Sequence, residues 1–377
     1  MKYYLVAGER SGDLHAGNLV HELRALDPSG EFRGFGGDHM KSEGVVLTVH
    51  YVDLAFMGFV EVVTNLNKIN KYIRLCRSDI EGFQPDIIIL IDYGGFNAQI
   101  ARFAKRKKFR VDYYIPPKYW AWWEGRARGL KRHVDNLYVI LPFEKEFFKK
   151  FNWNAQYVGN PVLDAVKAHD PDPAFLEKFK LTKPFVALLP GSRKQELSRI
   201  LPLLLEVTKR FSGRHFAIAA VSNLPPSMYE EIGKQPNVTL VFEDTYNLLT
   251  HASAAIVTSG TATLETALFR VPQIVVYKAN AVSYFLGKLL VRVPFISLVN
   301  LIAGREVVKE MLQSAANPQS VSQELEKILV NASYRESMLE GYGDIIKQLD
   351  TGSASKNTAR LMFEATKSVS VTDRALS

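Results

Sequence analysis

Short apolar runs that stop at a small polar turn and restart as a helix recur along this chain, and few folds accept that pattern. Ala254 to Val257 is one such run. Thr258, Ser259, Gly260 and Thr261 break it, and Ala262 to Leu268 resumes with helix formers. Tyr3 to Ala7 runs into Gly8-Glu9-Arg10-Ser11-Gly12-Asp13 and then a helical pattern from Leu14 to Leu26. Asp86 to Ile91 runs into Asp92-Tyr93-Gly94-Gly95-Phe96-Asn97, and Phe185 to Leu189 into Pro190-Gly191-Ser192-Arg193 and a helix over Lys194 to Phe211. A continuous apolar run between turn signals reads as a parallel strand covered on both faces. Such units in both halves of a 377-residue chain, without an internal sequence repeat, predict an α/β protein of two doubly wound domains.

The expected division is an N-terminal domain over residues 1–165, a C-terminal domain over 166–345, and a C-terminal helix with a polar tail over 346–377. Gly159 to Lys183, with Pro161, Pro171 and Pro173, reads as the link. Gly58 to Ile80 reads as a long amphipathic helix, with Cys76 packed on its apolar face. Ala303-Gly304-Arg305-Glu306 reads as the opening of a helix through Leu312.

The turns carry the chemistry. A strand, a small turn and a helix together aim unpaired amides and a positive dipole end at an anion. Gly260 lets backbone approach a phosphate, and Glu265, one helical turn on, is within reach of a diol beside it. Arg193 stands at a helix start next to a Gly-Ser turn, as a phosphate clamp does. An ordinary capped turn uses the same residues, so this pattern leaves both readings open. Asp92 ends a central strand, where α/β proteins place ligand-handling groups; its alternative is a helix N-cap. Glu9 lies between two glycines in the same kind of position.

Lys and Arg exceed Asp and Glu by 47 to 39, for a formal net charge of +8, which favours anionic partners of any kind. Trp120, Trp122 and Trp123 precede Arg126, Arg128, Lys131, Arg132 and His133. This segment suits an anionic bilayer or stacked bases, and equally a packed aromatic core with a solvated basic face. Tyr284 to Ile302 is the most apolar long stretch, but Lys288, Arg292 and Pro294 argue against a membrane span. The single cysteine excludes an internal disulfide. The opening KYYLVAG reads directly as strand, without a signal-peptide pattern. The eight histidines show no H-x-x-x-H pairing, and no CxxC, G-x-S-x-G or G-K-[ST] motif occurs, so no metal site is expected. Carboxylates in one half and phosphate clamps in the other suit group transfer from a nucleoside diphosphate. A base would take the acceptor's proton while the clamps stabilise the departing phosphate.

AGERSGD (7–13), MGFVEV (57–62), Asp92 with Phe96-Asn97, WAW (120–122), LPFEK (141–145), LLPGSR (188–193), SGTATLE (259–265) and NLIAGRE (300–306) together resemble the lipid-A-disaccharide synthase family, in order over most of the chain. The resemblance implies a GT-B glycosyltransferase whose two Rossmann-like domains face a central cleft. It implies inverting transfer of 2,3-diacylglucosamine from its UDP conjugate to 2,3-diacylglucosamine 1-phosphate, giving the β-1,6 disaccharide 1-phosphate and UDP without cofactor or metal. It also implies a cytoplasmic enzyme peripheral to the inner face of the inner membrane, with no nucleic-acid partner and with oligomerisation open.

By the same resemblance Asp92 is the expected base and Glu9 its competitor. Gly191, Ser192, Arg193, Ser259, Gly260, Thr261, Glu265, Asn300, Arg305 and Glu306 fall on the UDP side, and Ser11, Gly12, Asp13 and Asn97 on the acceptor side. Trp120, Trp122, Trp123, Arg126 and Arg128 are expected at the membrane. Gly94 and Gly95 depart from the family's usual Pro and Asp, which removes a second carboxylate. The alternatives are a UDP-N-acetylglucosamine 2-epimerase or another UDP-hexosamine transferase of this architecture, and a non-enzymatic basic protein that binds membrane or RNA.

Overall fold

The computed structural model describes residues 1–54, 66–121, 124–279 and 293–375. It divides into two compact units, Met1–Pro161 with Thr351–Ser377, and Val162–Asp350. The MGFVEV motif, Trp122, Trp123 and residues 284–292 of the Tyr284–Ile302 stretch lie outside the described residues.

The first unit holds a seven-stranded parallel sheet. Its strands are β1 (Lys2–Ala7), β2 (Glu31–Gly36), β3 (Val46–His50), β4 (Ile87–Ile91), β5 (Val111–Tyr114), β6 (Asn136–Val139) and β7 (Gln156–Tyr157), in the order β3-β2-β1-β4-β5-β6-β7. All five residues of β4 are buried, as a strand covered by helices on both faces requires. The chain winds outward from β1 through β3, then returns to pair β4 against the other edge of β1, with Ala7 opposite Ile91. The winding direction therefore reverses between β1 and β4. Helices diverge there and leave a crevice at the strands' carboxyl ends.

The second unit repeats the plan with six parallel strands, β8 (Phe185–Leu189), β9 (His215–Ala220), β10 (Val238–Phe242), β11 (Ala254–Thr258), β12 (Gln273–Tyr277) and β13 (Lys309–Leu312). Their order is β10-β9-β8-β11-β12-β13. Reversal falls between β8 and β11, where Leu189 pairs with Val257. The Gly191 and Gly260 turns thus leave neighbouring strand ends.

Three parts differ from the sequence reading. Residues 162–183 are packed rather than linking: Phe175 and Leu181 are buried in one cluster with Phe185 and Val257. The C-terminal helix Ala354–Ala375 belongs to the first unit. Ala359 and Met362 join Leu19, Val20 and Leu23 in its core, and Asn357 Nδ2 donates to the Val158 carbonyl at 3.1 Å. The helix expected through Leu312 is instead a helix over Leu298–Ala303, ended by Gly304 in the left-handed region, followed by strand β13. Lys309–Leu312 is too short to show helical periodicity, and pairing with β12 decides its conformation.

Candidate active site

Asp92 is the first residue past β4. It is not a helix cap: the helix Gly94–Arg106 has Tyr93 at its N-cap position, and no side chain caps it. Asp92 and Tyr93 both take left-handed backbone, with φ of 47° and 48°, a costly conformation for two successive non-glycine residues. The surroundings hold it in place. Asn97 Nδ2 donates to the Asp92 carbonyl at 2.8 Å and to Ile91 O at 3.2 Å, with Val6 O on β1 at 3.4 Å. The Tyr113 hydroxyl donates to the same Asp92 carbonyl at 2.5 Å. The backbone is clamped while the carboxylate stays half-buried and uncommitted to any cap. Burial lifts its pKa above the ordinary carboxylate value, against the pull of Lys118 and the Tyr93 N–H.

Tyr93 is a site residue that motif reading passed over. Its ring lies across Gly8, where a Cβ would come within 2.3 Å of Cδ1, so only glycine fits there. Its hydroxyl donates to Leu54 O at 2.9 Å. Burial, with the Glu9 carboxylate adding to it, pushes the phenol up to about 12. Glu9 and Asp92 therefore flank one ring at the β1/β4 switch, which fits both as candidates for proton handling.

The residues assigned to the acceptor separate. Ser11 is exposed in the first turn of the helix Arg10–Leu26, whereas Gly12 is buried and Asp13 is 1% exposed. The Asp13 carboxylate accepts from the amides of Gly37 (2.6 Å), His39 (3.0 Å) and Met40 (3.2 Å), capping the helix Asp38–Ser42 from a neighbouring element. Asn97 is fully buried under the strand ends. Asp13 and Asn97 brace the backbone around the strand ends, and Asn97 Oδ1 is buried without a hydrogen-bond partner. Three amides converge on the Asp13 carboxylate, two on Oδ1 and one on Oδ2.

In the second unit Gly191 adopts φ +99°, and a Cβ there would strike Glu196 Oε2 at 2.3 Å. Glu196 folds back over the start of the helix Lys194–Arg210. It accepts from the amides of Ser192 (3.2 Å) and Arg193 (3.4 Å), with Arg193 Nη1 3.6 Å from its other oxygen. A carboxylate thus sits where the turn would hold an anion, and the Arg193 head is 68% exposed. The Arg-x-x-Glu spacing carried the signal, as a capping-box pattern.

At the neighbouring turn, Gly260 and Thr261 are exposed at the start of the helix Thr261–Leu268. Its first-turn amides lack intrahelical acceptors. Ser259 is committed elsewhere, its hydroxyl donating to Ile296 O at 3.0 Å and its amide to Val276 O. Glu265 is half-buried and accepts from the Tyr246 hydroxyl at 3.1 Å. Burial raises its pKa, and that hydrogen bond opposes the rise.

Asn300 does not reach the nucleotide turns directly. It is fully buried and saturated: Oδ1 accepts from the amides of Val307 (2.7 Å) and Val308 (3.0 Å), and Nδ2 donates to Val308 O and Glu310 Oε1, each at 2.9 Å. Glu310 in turn accepts from the amides of Ile296 and Ser297. Through Glu310, Asn300 is linked to the segment whose Ile296 carbonyl receives Ser259. We expect Asn300→Ala to lower unfolding stability by about 2–3 kcal/mol, since it strands two buried amides. Denaturation with and without UDP checks this: unchanged stability with weakened UDP binding would make Asn300 a ligand contact after all. Arg305 and Glu306 are exposed and paired loosely with Asp344 (3.5 Å) and Lys309 (3.3 Å).

Trp120 is a core residue, 7% exposed. Its Nε1 donates to Glu144 Oε1 at 2.9 Å and its ring meets Phe143 edge-on at 5.0 Å. The WAW and LPFEK motifs are therefore two sides of one contact, and Trp120 is not available to a membrane. Arg126 and Arg128 are exposed, Arg128 lying over the Phe151 ring at 5.7 Å. Among the described residues no group of three or more His, Cys, Asp or Glu side chains could hold a metal ion.

Comparison with known proteins places this geometry. The family model described as lipid-A-disaccharide synthetase matches residues 3–362. A lipid-A-disaccharide synthase of Syntrophus aciditrophicus is 38% identical over 364 residues, covering 94% of this chain and 95% of that protein. One from Myxococcus xanthus is 38% identical over 361 residues, covering 93% and 94%. Among solved structures, the UDP-GlcNAc 2-epimerase of Neisseria meningitidis bound to UDP-GlcNAc superposes with a TM-score of 0.65 at 15% identity, over 97% of this chain and 99% of that one. At that identity the likeness is one of fold, the GT-B arrangement of two parallel-sheet domains.

Proposed function

This chain belongs to the lipid-A-disaccharide synthase family, and from that we propose that it transfers 2,3-diacylglucosamine from its UDP conjugate to 2,3-diacylglucosamine 1-phosphate. It is a glycosyltransferase of lipid A biosynthesis; the acylated substrates and the residue roles below are our reading. The acceptor's 6-hydroxyl oxygen attacks the donor's anomeric carbon as the bond from that carbon to the UDP oxygen breaks. Attack opposite the leaving group inverts the centre to a β-1,6 linkage. The hydroxyl proton passes to Asp92, and the electron pair leaves on the β-phosphate of UDP.

The observation that carries this reading is a half-buried carboxylate, held on a clamped backbone at the β1/β4 switch and engaged in no structural cap. Glu9 is the competing base. In the second unit, the β8 and β11 turns supply Arg193 and the amides of Ser192, Gly260 and Thr261 to the diphosphate. The diphosphate would displace the Glu196 carboxylate from the Ser192 and Arg193 amides. Glu265, with Tyr246 beside it, takes the ribose diol.

No helix among the described residues is long and apolar enough to cross a membrane. We assign work at the cytoplasmic face of the inner membrane to surface attachment, with Arg126 and Arg128 exposed for anionic lipid.

Incubation with diacylated and non-acylated UDP-glucosamine tests the substrate assignment. Disaccharide should form from the diacylated donor, and turnover of the non-acylated sugar alone would return the reading to an epimerase or another hexosamine transferase. Arg193→Ala should weaken UDP binding by about 1.5–3 kcal/mol, the range for a charge-assisted hydrogen bond. Unchanged UDP affinity by calorimetry would contradict its role.

A further inference from the structure

A groove of about 740 Å³ runs along the outer side of the helix Gly94–Arg106 in the first unit. Its walls carry Arg77, Arg102, Arg106, Arg126, Arg132 and His133, and among the described residues no Asp or Glu lines it. These side chains come from separate helices: Arg77 from Leu66–Phe83, Arg102 and Arg106 from Gly94–Arg106, and Arg126 from Gly125–Lys131. Arg102, Arg106 and Arg132 form no ion pair among the described residues. Arg77 lies over the Phe103 ring, with its Nε buried and without a hydrogen-bond partner. Burial and the cations of Arg102, Arg132 and Arg106 hold His133 below its usual pKa. Like charges gathered in a concave wall repel one another unless an anion joins them.

We propose that this groove binds the phosphomonoester of the lipid acceptor. One end of it is formed by Gly94 and Gly95, two and three residues beyond Asp92. Gly95 has open space where a Cβ would stand, and the Pro117 ring lies against Gly94 beside it. A sugar phosphate bound there presents its hydroxyl end to the carboxylate and its anomeric phosphate to the arginines. The helix axis from Gly94 to Arg106 spans about 18 Å, which is room for a headgroup with its first acyl linkages. Guanidinium forks match a phosphate dianion in both charge and shape. The inference rests on the acceptor chemistry proposed above and adds the place where its charge is read.

The test compares wild type with Arg102→Gln/Arg106→Gln and with Arg132→Gln. Binding of detergent-dispersed 2,3-diacylglucosamine, with and without its 1-phosphate, is measured by calorimetry. Removing the phosphate should cost the wild type at least about tenfold in affinity and the double variant little. The variants should also raise KM for the phosphorylated acceptor while leaving KM for the UDP donor unchanged. Equal losses in wild type and variants on removing the phosphate would overturn the proposal. So would variants whose only defect is weaker binding to anionic phospholipid vesicles, which would make the groove a headgroup contact. Because binding is read without turnover, absence of transfer by the wild type would count against the functional reading and leave the groove to its own result.

Discussion

Asp92→Asn abolishes sugar transfer and leaves UDP binding intact. A positioned general base contributes roughly 10²–10⁴ in rate, and the amide keeps the shape of the side chain without its basicity. The clamp on this residue acts through its carbonyl, which accepts from Asn97 and Tyr113, so the substitution leaves the strand end in place. UDP affinity serves as the control because the turns assigned to it belong to the other unit. The pH profile gives a second readout. The base acts deprotonated, and burial has raised its pKa, so wild-type kcat/KM should rise with pH along an acidic limb above the ordinary carboxylate range. Lys118 opposes that rise, so Lys118→Ala should move the limb to higher pH. Near-normal turnover in Asp92→Asn, with a dead Glu9→Gln, would transfer the role to Glu9.

Trp120→Ala should destabilise the first unit by about 3–5 kcal/mol, the usual range for truncating a buried large aromatic. The cost has two parts. A cavity opens beside Phe143, and Glu144 loses one of its donors. Glu144 is 2% exposed and also accepts from the amides of Ile140 and Leu141; burial lifts its pKa from 4.5 to about 7 against these bonds. A carboxyl that holds its proton more tightly when folded makes stability fall as pH rises, here between about 4.5 and about 7, and level off above. Losing the indole N–H raises that pKa further and extends the window upward. The deficit of Trp120→Ala should therefore be larger at pH 8 than at pH 5, by thermal or urea denaturation. Unchanged stability together with lost vesicle binding would restore Trp120 to the membrane.

The two residues show what a motif conveys and what it leaves open. WAW and LPFEK both marked positions that matter, yet a pattern of residue types does not say whether a tryptophan faces lipid or a buried glutamate 24 positions later. Asp13 and Asn300 show the same gap between pattern and partner. Each stands in a turn that reads as ligand-binding, and each is consumed by backbone amides, those of Gly37, His39 and Met40 for Asp13 and those of Val307 and Val308 for Asn300. The strand-end position of Asp92 was legible because it is a local property. Glu196 was legible in principle, being three residues from Arg193 in a capping pattern.

From the residues alone came the central strands β1, β4, β8 and β11, the turns at their carboxyl ends, the doubly wound class and the family. Parallel strands buried on both faces must be written as unbroken apolar runs, and the break that ends each run is written beside it. Tertiary structure alone decided which polar groups at those breaks remain free. Hydrogen-bond partners and charged neighbours come from distant segments, and a buried donor or acceptor must be satisfied wherever its partner lies. For the same reason the arginine groove is only partly written in the chain: Arg126, Arg132 and His133 fall in one basic segment, while Arg77, Arg102 and Arg106 come from other helices.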